Sequence, residues 1–161
     1  MSIQNEVSSL IALIQKHRSV LDRIEAFYLN YIEKMGEPTD ELGDAIVIAD
    51  SLSKYYTCLE TVFLRISKFF ENDLSPSRWH QDLLDRMALD IPEIRPAVIG
   101  GRTCKCLREL LRFRHFTRYY FELDYDWDRI SFIQKKFADA VDLVQTDLSS
   151  FIDYLHKLIL E

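Results

Sequence analysis

A chain of 161 residues that is 48% hydrophobic and 29% charged has the mass for one real core and the composition of an ordinary soluble globular protein. With 20 basic against 26 acidic residues its net charge is −6, which excludes generic coating of nucleic acid and requires any polyanion to be met at a local patch. Four glycines and four prolines are too few for an all-β chain, no apolar run is long enough to span a membrane, and the start lacks a leader pattern, so a cytoplasmic protein with no membrane contact is expected.

Hydrophobic spacing predicts five helices. From Ser2 to about Met35, Val7, Leu10, Ile11, Ile14, Leu21, Ile24, Tyr28, Tyr31 and Ile32 recur every three or four residues and give one long amphipathic helix. It stops at Gly36-Glu37-Pro38, a C-cap glycine followed by proline. Thr39 or Asp40 can cap a second long helix reaching about Asn72, with Leu42, Ile46, Ala49, Leu52, Tyr56, Leu59, Phe63, Ile66 and Phe70 as its stripe. Two antiparallel helices of this length imply a bundle.

Ser75-Pro76-Ser77 ends that hairpin and begins a shorter helix to about Leu89, carrying Trp79, Leu83, Leu84 and Met87. IPEIRPAVIGG, with two prolines and a glycine pair, reads as an extended connection, and Ile91, Ile94, Val98 and Ile99 suggest that it is packed down. A basic fourth helix follows, ending near Glu122 to Tyr125. Asp126 or Asp128 then caps a fifth, whose apolar positions Ile130, Ile133, Phe137, Val141, Val144, Leu148, Ile152 and Leu155 run nearly to the terminus. The expected architecture is an all-α antiparallel helical bundle, a single domain over residues 1–161.

The fourth helix reverses the charge of the chain. Between Arg102 and Arg118, six Lys or Arg residues accompany one acid, Glu109; this segment carries a net charge of +5 and the remainder −11. At 100° per residue, Arg112, His115 and Tyr119 fall within about 40° of Arg108, one above another. Cys106, Leu110, Phe113, Thr117 and Phe121 form the opposite, core-facing side, with Arg114 and Arg118 on the flank.

Guanidinium groups bind phosphate oxygens through paired hydrogen bonds, and an imidazole exchanges a proton near neutrality. Metal-independent RNA cleavage needs that combination: a group that helps the ribose 2′-hydroxyl attack the adjacent phosphate, and cations that stabilise the charge that builds up. The plain alternative is a solvated basic face bridged to the acidic remainder.

Arg108-x6-His115 satisfies the R-x(4 to 6)-H signature of HEPN domains, all-helical ribonuclease modules. Around it, Trp79-His80-Gln81-Asp82-Leu83-Leu84-Asp85-Arg86-Met87, Arg95-Pro96-Ala97-Val98-Ile99 and Phe113-Arg114-His115-Phe116-Thr117-Arg118-Tyr119-Tyr120 resemble, in order and spacing, the HepT-like family of HEPN proteins. That resemblance covers nearly the whole chain. It implies a homodimeric endoribonuclease toxin, often encoded beside a minimal nucleotidyltransferase antitoxin, with His115 catalytic. For the arginine that works with it, helix geometry favours Arg108 and Arg112 whereas the family-like block emphasises Arg114 and Arg118, so Arg108 is the catalytic candidate and Arg112, Arg114, Arg118 and Tyr119 are candidates for holding RNA. In the family a tyrosine two residues after the histidine receives AMP; here that position is Thr117, and the tyrosines available for modification are Tyr119 and Tyr120. A second reading is a non-catalytic helical partner, or substrate-binding subunit, of such a nucleotidyltransferase.

Other features carry less. Cys58, Cys104 and Cys106 give neither a disulfide framework nor zinc-site spacing, and read as buried or half-buried thiols. His80 reads as a packing or capping residue, and His17 and His156 lack converging partners. The carboxylates do not form Glu-x-x-His pairs, and no glycine loop cradles a phosphate. No metal or cofactor is expected.

Overall fold

The computed structural model describes residues 2–36, 41–71, 79–122 and 124–161, with residues 79–82 described by their backbone alone. Among these residues five helices follow one another: α1 (Ile3–Met35), α2 (Leu42–Glu71), α3 (Trp79–Met87), α4 (Gly101–Tyr119) and α5 (Trp127–Leu160). Among the described residues the only strand-like pairing is an isolated bridge between Ile91 and Arg95, so the fold is an all-α bundle as expected. The Thr39 or Asp40 cap, the Glu37-Pro38 stop, the end of α2 at Asn72 and the Ser75-Pro76-Ser77 break lie outside the described residues, as does the side chain of His80.

The long helices begin and end where local chemistry directs. The Ser2 hydroxyl accepts the Asn5 amide at 3.3 Å to cap α1, and Asp126 accepts the Asp128 amide at 2.9 Å to cap α5. Gly36 closes α1 at φ 72°, in the left-handed region, where its amide still reaches the Ile32 carbonyl at 3.2 Å.

Cross-helix contacts fix the directions. Gln4 reaches the Ile159 carbonyl, Arg18 reaches Gln145 and Gln134 reaches Tyr28, so α1 and α5 run antiparallel. Their stripes meet that of α2 in the core, where the Phe137 ring stands edge-on to both Tyr28 and Tyr55, with centroids 5.0 and 4.9 Å away. Not every stripe position is covered: Ile46 of α2 and Ile94 of the connection remain partly exposed.

α3 packs on α2 and α4, and the connection that follows is held down by one arginine. Arg95 is buried and donates to Glu71 at 2.6 Å and to the carbonyls of Arg86, Leu89 and Pro96 at 3.0 to 3.2 Å. A guanidinium with that many partners satisfies carbonyls which a turn without regular structure leaves over. The Val98 amide donates to the Met87 carbonyl at 2.8 Å, which delivers the chain to the start of α4. That start has no capping side chain of its own, because its N-cap is Gly100. Asp147 of α5 supplies the carboxylate instead, accepting from the Gly100 amide at 2.9 Å and the Thr103 hydroxyl at 2.6 Å. Both ends of the connection are thereby tied to neighbouring helices, and α4 lies antiparallel between α2 and α5.

Candidate active site

The two faces of α4 separate much as its spacing predicts. Cys106, Leu110 and Phe113 are buried, while Arg112, His115 and Tyr119 are exposed and Arg108 is half-buried. The rings of His115 and Tyr119, one turn apart, lie with centroids 4.9 Å from each other. Thr117 is half-buried, 3.4 Å from the Ser53 hydroxyl of α2.

Two placements differ from the helical wheel. Phe121, expected in the core stripe, is 85% exposed, because α4 ends at Tyr119 rather than near Glu122. Tyr120 closes the helix, stacking on Phe116 at 4.6 Å and donating its hydroxyl hydrogen to the Asp124 carboxylate, so the next residue leaves the helical register. The second correction is Arg114, expected on the flank and open to a phosphate. Its side chain is 3% exposed. Glu60 of α2 takes its guanidinium through two hydrogen bonds of 2.9 Å, Thr57 accepts a third at 3.2 Å, and the Tyr56 ring lies 4.8 Å beneath it. The charge of Arg114 is thus spent inside the protein, one residue before exposed His115.

A cleft of about 480 Å³ opens along the outer face of α4. Arg108, Leu111, Arg112, Arg114, His115, Arg118 and Tyr119 line it, and every one belongs to this helix. A larger groove of about 660 Å³ runs between α1, α2 and the end of α4, where His17, Ile24, Ala49, Cys58 and Tyr125 meet Arg118. Size does not decide between them. The groove has apolar and small polar walls, and the Nδ1 of its histidine faces the Leu13 carbonyl at 2.9 Å. The smaller cleft is where an exposed imidazole and several guanidinium groups converge.

The cations of the cleft differ in how far they are neutralised. Arg108 is paired with Asp85, which holds its proton still more firmly than usual, and it also donates to the Cys104 sulfur at 3.7 Å. Arg112 pairs with Glu109 at 3.1 Å but keeps a largely exposed guanidinium. Among the described residues Arg118 has no carboxylate partner, and its exposed side chain reaches the rim of both cavities.

Glu60, Asp85 and Asp147 are the residues that inspection of α4 alone overlooks. Glu60 had a signal: it stands between Tyr56 and Phe63 on the buried stripe of α2, where a carboxylate requires a cation opposite. Asp85 and Asp147 had none, since each depends on which helix lies beside α4. The three thiols are free; Cys104 and Cys106 are buried, and burial pushes the Cys104 thiol up despite Arg108. Among the described residues no group of three or more His, Cys, Asp or Glu side chains could hold a metal ion, and no helix is long and apolar enough to cross a membrane.

Residues 47–155, more than half of the chain, match the family model described as HepT-like protein. The match begins within α2 and ends within α5, so it contains α3, the packed connection and all of α4. No curated protein and no solved structure matches the chain.

Proposed function

The chain belongs to the HepT-like family, and on that premise we propose that it is a metal-independent endoribonuclease, the toxin of a toxin–antitoxin pair acting in the cytoplasm. The observation that carries this reading is exposed His115 standing among the guanidinium groups of Arg108, Arg112 and Arg118 in one cleft. Residues 1–161 act in it as one unit.

The attack on phosphorus uses these groups. His115 takes the proton of a ribose 2′-hydroxyl as that oxygen attacks the adjacent phosphorus. The bond to the 5′-oxygen breaks, and the products are a 2′,3′-cyclic phosphate and a 5′-hydroxyl. Arg118 and Arg112 stabilise the charge on the phosphate oxygens, and Arg108, braced by Asp85, sets the first turn of the site. Arg114 serves from inside by fixing α4 against α2, so its part is positioning rather than phosphate contact.

A cleft walled by one helix has no opposite side. A second copy of the chain, placing its own α4 across the first, would supply it, together with a second His115 to protonate the leaving oxygen. This favours a homodimer as the working form. The test is cleavage of single-stranded RNA in chelator by the wild-type protein and by His115→Ala, with the dimer followed by sedimentation.

One observation favours the alternative of a non-catalytic partner for a minimal nucleotidyltransferase. Tyr119 in the cleft and Phe121 just past the end of α4 are 67% and 85% exposed, and exposed aromatic side chains near arginines are typical of a protein-binding surface. On that reading, charge reversal of Arg108 and Arg112 breaks the complex while His115→Ala leaves it intact.

A further inference from the structure

The α5 helix presents an aromatic side chain among cations immediately beside the cleft. Phe132 is 48% exposed, and the Lys136 ammonium lies 5.5 Å from its ring centre. Phe132 also lines a small notch of about 110 Å³ together with Glu109, Arg112 and Arg129. Arg129, itself exposed, rests its guanidinium 3.7 Å over the Phe116 ring, which keeps the charge at the surface and restricts its motion. Arg112 lines both the notch and the cleft, so the two are adjacent through one side chain.

A single exposed phenylalanine is ordinary, and so is a surface lysine. A half-exposed ring with cations from two helices around it, continuous with a cleft suited to phosphate, is the arrangement that binds single-stranded nucleic acid. The ring stacks a base and the cations meet the flanking phosphates. The one acid in the notch, Glu109, is already occupied by Arg112.

We infer that Phe132, with Arg129, Lys136 and Arg112, forms a flanking nucleotide subsite that stacks an unpaired base of single-stranded RNA next to the phosphate held in the α4 cleft. This rests on the ribonuclease reading and adds to it a requirement for unpaired RNA on one side of the cut. A base in a duplex cannot offer its face to Phe132, so the subsite discriminates against paired RNA.

The experiment is fluorescence anisotropy of the full chain carrying His115→Ala, in chelator, with a labelled single-stranded oligouridylate and its duplex with oligoadenylate. Adding Phe132→Ala should weaken single-strand binding roughly five- to 150-fold, the loss expected of one base–aromatic stack, and Phe132→Trp should restore it. Phe132→Leu, which keeps the apolar volume and guards against a folding defect, should bind as weakly as the alanine variant. Lys136→Gln should lower the slope of log affinity against log salt by about 0.7, one phosphate contact. If the parent binds the single strand and Phe132→Ala or Phe132→Leu binds equally well, the subsite is refuted while the ribonuclease reading stands. If the parent binds no RNA although the wild-type fold is retained, the subsite and that reading fall together.

Discussion

Arg114 and Glu60 face each other through two parallel hydrogen bonds of 2.9 Å in the interior of the bundle, and the next residue along the chain, His115, stands in solvent. A single peptide step therefore links a point of α4 held by a buried ion pair to an exposed imidazole. A planar fork fixes the rotation of the helix about its axis as well as its distance from α2, which a greasy contact would not do.

Removing one member of that pair leaves a buried charge without its counter-ion. Glu60→Ala should destabilise the protein by about 3–5 kcal/mol in urea unfolding. Replacing both residues, Glu60→Leu with Arg114→Met, should recover most of that loss, since an apolar pair of similar volume leaves neither buried charge without its counter-ion. If Glu60→Ala unfolds at the wild-type midpoint, the ion pair does not hold α4.

The end of α4 can be checked by two phenylalanines. Phe113→Ala should cost about 3–5 kcal/mol, as expected for a buried ring, whereas Phe121→Ala should stay within about 0.5 kcal/mol. Equal losses at both positions would mean that the helix continues and carries Phe121 into the core.

Asp147 caps a helix to which it does not belong. Asp147→Ala should cost about 1–2 kcal/mol and speed hydrogen exchange at the Gly100 to Thr103 amides more than in the middle of α4. Uniform exchange along α4 in the variant would contradict that local role.

The two candidate tyrosines differ in their freedom to react. The Tyr120 hydroxyl is engaged by Asp124, a hydrogen bond that pushes its pKa from 10.0 up to about 12, while exposed Tyr119 has, among the described residues, the His115 ring beside it. Because the folded value is raised, the stabilisation from this contact is complete below about pH 10 and is lost as pH climbs through about 12. With a partner nucleotidyltransferase and ATP, peptide mass spectrometry should find AMP on Tyr119 and not on Tyr120, with the addition absent in Tyr119→Phe. Addition to Tyr120 alone would reverse the assignment.

How much of this was legible in the sequence varies from residue to residue. The stripes of α1 and α5 were, since long amphipathic helices repeat their signal over many turns. So was the neighbourhood of His115 and Tyr119, because i and i+4 positions must share a face. Phe121 was misread because periodicity says which way a residue would point if the helix continued and nothing about where it stops; the stop depends on Tyr120 with Phe116 and Asp124. Arg114 was misread because a helical wheel shows one helix alone. Its burial is decided by Glu60 across the interface, and the clue lay in α2, where a carboxylate interrupts an apolar stripe.

The most direct measurement is cleavage of a labelled single-stranded RNA by the purified protein in excess chelator, comparing wild type with His115→Ala of unchanged circular dichroism. The expected result is cleavage that persists without metal, ends in a 2′,3′-cyclic phosphate, and falls by about 100-fold or more in the variant. Intact RNA after incubation with the folded wild-type protein, or equal cleavage by both proteins, would contradict a catalytic role for His115.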